Sequence, residues 1–323
     1  MRKRFLFLTL SVLLAPLVVS AHEISAPLQG EAPVVAPTAY EQLLRALMPD
    51  AHAVATFSVE GNYRIIKGDG YPGYTPGDFP NAHNPNAIRK KNYHLRVALD
   101  PKLGPARPTE RTPFGIALNG VLFDPKTAAY WDNDPSTGWN YEAIGGACQL
   151  GLDTSNAHVQ PNGAYHYHGL PTGLLDKYAY QSTPALIGFG ADGFPIYGPY
   201  GYANADDPSS GMIKLKSGYR LKSGTRPSAP GGPYDGVFTE DWTHDAALGD
   251  LDECNGRSGV TKEYPNGTYY YVITDSFPYV PRCWRAAPDP SFFTLKGRPG
   301  APQPAGPRAG PRPGQGGRAC RGS

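Results

Sequence analysis

Leu152-Asp153-Thr154-Ser155-Asn156, followed by Pro161-Asn162-Gly163-Ala164-Tyr165-His166-Tyr167-His168, is a pattern the chain uses twice. It returns as Leu251-Asp252-Glu253-Cys254-Asn255 followed by Pro265-Asn266-Gly267-Thr268-Tyr269-Tyr270-Tyr271-Val272, with five more residues between Asp and Pro. Upstream of each copy lies a second matched piece, Gly115-Ile116-Ala117-Leu118-Asn119-Gly120 and Gly188-Phe189-Gly190-Ala191-Asp192-Gly193. Asn-Gly and Asp-Gly between apolar runs mark tight hairpins, because both turn positions favour positive φ. The same two pieces in the same order predict a pseudo-twofold duplication, with halves at about residues 90–180 and 181–290. Around them Gly and Pro interrupt every run, and the apolar stretches are short and rich in Tyr, Val, Ile and Phe. That composition predicts a mainly β fold of many short strands joined by long Gly/Pro-rich loops.

The two copies differ where chemistry is possible. Both keep the Leu-Asp, the Asn, the Pro-Asn-Gly turn and the alternate tyrosines, whereas His158, His166 and His168 are replaced by Arg257, Tyr270 and Val272. The segment Ala164 to His168 should form a strand in which residues two apart share a face. His166 and His168 then lie together, with Tyr165 and Tyr167 opposite. His158, before the turn, returns beside the same strand as a third ligand. Three neutral imidazoles with a fourth position open suit copper or zinc above other metals. Asp153 is the candidate to orient an imidazole from behind, with Tyr165 and Tyr167 as further support. Its counterpart Asp252 persists without histidines, which favours a scaffold role for both aspartates.

With these residues in view, Ala164-Tyr165-His166-Tyr167-His168-Gly169 and the upstream His158 resemble the signature of the YHYH domain family of exported, mostly bacterial proteins. Residues 187–200 (IGFGADGFPIYGPY), 249–257 (GDLDECNGR) and 268–283 (TYYYVITDSFPYVPRC) are similar to further parts of that pattern. The resemblance spans about residues 60 to 285 and implies export without implying a particular activity. It also implies a cysteine pair flanking the histidine motif. Ser155-Asn156-Ala157 and Thr172-Gly173-Leu174 stand there instead.

The ends of the chain have a different character. Arg2-Lys3-Arg4, an apolar run from Phe5 to Val19 and the small residues Ser20-Ala21 read as a cleavable signal peptide over residues 1–21, too short for a membrane span. Residues 22–53 read as a linker carrying a short helix over Thr38–Met48, and residues 54–295 as the β-rich domain. Residues 296–323 are Gly, Pro and Arg with almost nothing apolar, a composition expected to stay disordered. The leader carries three cations and the tail six, with no acid in either. Setting these nine aside turns the net charge of +2 into −7 for the rest, which argues against nucleic acid as a partner. Export predicts a periplasmic or extracellular location.

Four cysteines in an exported chain suggest disulfides. Cys254 and Cys283 bracket the second Pro-Asn-Gly strand and are expected to pair. Cys148 and Cys320 are open to pairing with each other, to an intermolecular bridge, or to remaining thiols. His22, first after cleavage, could chelate copper with its own amino group. His94 reads as an ordinary residue of an alternating strand beside Arg96. His52, His83 and His244 are scattered, and Asp192 reads as a turn residue. The expected function is an exported protein with a three-histidine copper or zinc site, with catalysis left open. The alternative is a non-catalytic surface or matrix module that binds glycans or protein through its many aromatic side chains.

Overall fold

The structure, a computed structural model, describes residues 55–110, 112–145 and 149–295. The leader, His22, the helix over Thr38–Met48, His52, Cys148 and the tail with Cys320 lie outside the described residues. The strands are β1 (Ala55–Glu60), β2 (Tyr63–Gly68), β3 (Tyr93–Ala98), β4 (Arg107–Pro108), β5 (Gly115–Ala117), β6 (Leu122–Phe123), β7 (Ala157–Val159) and β8 (Tyr165–Tyr167). They continue as β9 (Leu186–Gly190), β10 (Pro195–Tyr197), β11 (Tyr200–Tyr202), β12 (Met212–Lys214), β13 (Tyr219–Leu221), β14 (Trp242–His244), β15 (Gly256–Gly259), β16 (Thr268–Val272) and β17 (Cys283–Trp284). A four-residue helix, α1 (Thr172–Leu175), follows β8. Mainly β, as the composition requires. Among the described residues no helix is long and apolar enough to cross a membrane.

β1, β2 and β3 form an antiparallel meander. On β3 Tyr93, Leu95 and Val97 are buried while His94 and Arg96 face outward, the period-2 alternation of a half-covered strand. Eight strands make the main sheet in the order β15-β16-β10-β9-β5-β6-β8-β7. That order is its own mirror in terms of the repeat. Each half contributes a central strand, its hairpin partner and an outer hairpin, and the halves meet at β5 and β9.

The registers carry the same symmetry. Ile116 pairs with Phe189 at the centre, flanked by Gly115 with Gly190 and Ala117 with Gly188. In one half β6 runs parallel to β8, Phe123 beside Tyr167; in the other β10 runs parallel to β16, Ile196 beside Tyr271. The outer hairpins turn at Pro-Asn-Gly, where Gly163 and Gly267 take φ of +84° and +86°, values that disfavour any residue with a Cβ. Asn156 and Asn255 sit in the same left-handed conformation at φ +53° and +54°, and each carbonyl accepts the backbone N–H that leaves the outer strand, from His168 at 2.8 Å and Val272 at 2.9 Å. Asn tolerates that conformation better than most residues, which explains why it recurs.

The core is continuous through the sheet. All five residues of β9 are buried, as expected of a central strand covered on both faces. Phe114, Ile116, Phe123, Tyr167, Phe189 and Tyr271 are fully buried, the phenylalanines and Ile116 each worth about 1.5–3 kcal/mol in apolar transfer. The rings of Phe57 and Phe189, 6.3 Å apart, join the meander to the main sheet. Cys254 and Cys283 are disulfide-bonded with Cα atoms 5.0 Å apart, tying the loop before β15 to β17.

Candidate metal centre

β7 and β8 form the edge hairpin of the first half, with Ala157 opposite Tyr167, His158 opposite His166 and Val159 opposite Tyr165. Paired residues in a sheet point to the same face, so His158 and His166 share one. His168, one step beyond β8, is brought to that face by the bond from its backbone N–H to Asn156. His166 Nε2 lies 3.0 Å from His168 Nε2, which lies 3.2 Å from His158 Nε2. All three are buried, at 6%, 3% and 3% exposure, and their ligand atoms fall within 4.8 Å of one another.

The ring protons make the convergence chemically specific. His158 Nδ1 lies 2.9 Å from the Leu150 carbonyl and His166 Nδ1 lies 3.2 Å from the Ala164 carbonyl. A carbonyl only accepts, so both Nδ1 atoms carry the hydrogen and donate it. With the proton held on Nδ1, each of these two rings in its neutral form presents a bare Nε2 lone pair toward the same point. Burial pushes the His158 pKa down, against smaller opposing effects from the Leu150 bond and from Asp124 and Asp153. Such lone pairs repel unless something electropositive lies between them. Nitrogens about 2.0–2.1 Å from one tetrahedral ion are about 3.3 Å apart, close to the spacings seen. Carbonyl-anchored Nδ1 atoms are also the usual means of fixing a ligand imidazole. The donor set fits a cation.

The other face of the hairpin is a hydroxyl network. Tyr165 donates to Asp153 Oδ2 at 2.6 Å, and the Tyr74 hydroxyl lies 3.1 Å from that of Tyr165 and 3.0 Å from that of Tyr167. Asn119 Nδ2 donates to the Tyr167 hydroxyl at 2.8 Å. Burial raises the pKa of Tyr165 and Tyr167, which stay protonated. Asp153 also accepts from the backbone N–H groups of Gly77, Ser155 and Ala157. The structure thus brings the three histidines together and sets Asp153, Tyr165 and Tyr167 apart, Tyr165 bonded to Asp153 and both tyrosines to Tyr74 rather than to an imidazole. The matching set in the second half is Asp252 with Tyr269 and Asp192 with Tyr271. Asp192 is indeed at a turn, yet its carboxylate is buried, takes the Tyr271 hydroxyl at 2.6 Å, and has its pKa raised by burial to about 6.

Where the first half carries histidines, the second closes on itself. Arg257 Nε donates to the Tyr270 hydroxyl at 2.6 Å and Nη2 to the Tyr202 carbonyl at 2.8 Å, while Val272 is fully buried. Ser155, the counterpart of Cys254, has its hydroxyl 3.3 Å from that of Thr172, so a hydrogen bond links the two segments that the family resemblance expects a cysteine pair to join. His83 is exposed and His244 bonds the Leu251 carbonyl; neither belongs to the cluster. Aromatic side chains are spent mostly inside. Among the described residues, the exposed large hydrophobics include only Tyr63, Tyr71 and Phe293 as aromatics.

A cleft beside His166 escaped the sequence reading. It is lined by Lys91, Leu122, Asp124, Gln160, Ala164 and His166, among others, with room for a water-sized group or two. Comparison of the two copies could have flagged it, since Asp124 and Gln160 correspond to Tyr197 and Gly259.

A family model described as YHYH protein matches residues 94–286. No curated protein and no solved structure matches the chain.

Proposed function

Because the chain belongs to the YHYH protein family, with the histidines of its motif converging in space, we propose that it is an exported metal-binding protein holding one copper or zinc ion on His158, His166 and His168. The observation that carries this reading is the meeting of three buried Nε2 atoms, two of them with their Nδ1 protons committed to carbonyls. Three neutral imidazoles satisfy both candidate ions and leave a fourth position for an exogenous ligand. Such an ion would supply Lewis acidity toward a bound water or small substrate. The chain's own contribution is a buried set of rings whose ligand atoms already lie within 4.8 Å of one another.

Export is supported by the leader pattern of residues 1–21 and by the Cys254–Cys283 disulfide, a bond that persists in oxidising compartments. A periplasmic or extracellular location follows from that proposal. The inward use of aromatic rings gives the glycan-binding alternative little surface to work with.

Titration of the metal-free protein with Cu²⁺ and Zn²⁺ by calorimetry tests the assignment. One equivalent should bind to the wild type, and the His166→Ala/His168→Ala variant should lose it. Retained stoichiometric binding in that variant would remove the three histidines from consideration.

A further inference from the structure

The two halves share one scaffold, so the second shows what that scaffold does when no ligand chemistry is asked of it. There, Tyr197 on β10 occupies the register position of Asp124 just after β6. Its ring packs on Tyr270 with centroids 5.2 Å apart, and its hydroxyl lies 2.7 Å from Thr261 Oγ1 and donates to Glu263 at 2.9 Å. Tyr197 and Tyr270 are buried to within a percent of completely. The space is filled with rings.

In the first half the same region is opened. His166 stands for Tyr270, Asp124 for Tyr197, Gln160 for Gly259 and Ala164 for Thr268. The small Ala164 side chain leaves room beside His166, and Gln160 Nε2 donates toward Asp124 Oδ2 at 3.5 Å along the wall. Lys91 closes the rim, its Nζ donating to the Asn162 carbonyl at 2.8 Å. A core that costs apolar burial to open, with one ring of the converging trio in its wall, calls for something to enter it.

We propose that this cleft admits a small monoanion, or its neutral conjugate acid, of two or three heavy atoms to the open position of an ion held by His158, His166 and His168, with Asp124 and Gln160 positioning it. The inference rests on the metal-binding reading above. Size follows from the cleft, which has room for about two water-sized groups side by side. Charge follows from the donor set: neutral imidazoles leave a buried dication of which the Asp124 carboxylate in the cleft wall compensates one charge at most, so one further negative charge is what the site lacks. Asp124 and Gln160 offer a paired acceptor and donor, suited to a ligand that arrives with or without a proton.

Copper(II) makes the idea visible, since it binds imidazole sites more tightly than zinc whichever ion is native. The copper-loaded wild type is titrated with azide and followed by the azide-to-copper charge-transfer absorption. Ala164→Val, which narrows the cleft and keeps the backbone carbonyl that accepts from His166 Nδ1, should weaken azide binding at least tenfold while copper stoichiometry stays at one. Unchanged azide affinity in that variant overturns the proposal and leaves the metal site standing, whereas a wild type that takes up no copper defeats the metal reading itself. Should Ala164→Val not fold, the wild type alone decides. Azide must bind and benzoate, too bulky for the cleft, must not; equal binding of both overturns the proposal.

Discussion

His158 faces His166 across the first outer hairpin in the register where Arg257 faces Tyr270 across the second. One backbone thus carries two solutions, a convergent trio of imidazole nitrogens and a closed cation–hydroxyl pair, which separates what the fold needs from what the site needs.

His168→Val installs the residue that the second half already buries at this position. The variant should fold with wild-type secondary structure, because Val272 shows that the scaffold accepts it. Metal affinity should fall at least a hundredfold. In the wild type, metal at a hundred times its dissociation constant should add about 2.7 kcal/mol of stability, and thermal melts with and without metal should show that gain vanish in His168→Val.

Asp153→Ala should act on the fold alone. It removes the acceptor of the Tyr165 hydroxyl and of three backbone amides, a loss expected to cost about 2–3 kcal/mol. Denaturant titration should show that drop, while calorimetry on the folded variant should still count one metal ion.

Asp192 makes stability depend on pH. Burial raises its folded-state pKa from 3.8 to about 6, so the native state holds the proton more tightly than the unfolded chain. Its contribution is fully present below pH 4 and is lost as pH rises through 6, about 3 kcal/mol in all. Asp192→Asn, the analogue of Asn119, should flatten this part of the stability–pH profile. A profile between pH 4 and 6 that is the same in both proteins would rule out the assignment.

Ser155→Cys with Thr172→Cys should form a disulfide where the two hydroxyls now lie 3.3 Å apart. Closing a loop of that size should stabilise by about 3 kcal/mol. Free-thiol counting and melting under oxidising and reducing conditions check it.

Much of this was written plainly in the chain. Two quoted repeats predict the duplicated sheet, because a turn signal between alternating residues fixes both strand and register. The same alternation places His166 and His168 on one face and separates them from Tyr165 and Tyr167. The Cys254–Cys283 pairing follows from the way those residues bracket a strand. Asp124 was hidden for a physical reason: β6 has two residues, too few to display a period, and it reaches the histidines by parallel pairing after a long connection that local patterns do not encode. The hydroxyl network was equally opaque, since Tyr74 joins it from far upstream in the chain. What is local was legible, and what depends on crossover topology was not.

X-ray absorption on the protein loaded with one equivalent of copper or zinc tests the central claim most directly. The account predicts about three imidazole nitrogens at about 2.0–2.1 Å, with the outer-shell scattering of histidine rings and one further light-atom ligand. A shell of oxygens without imidazole scattering would contradict it.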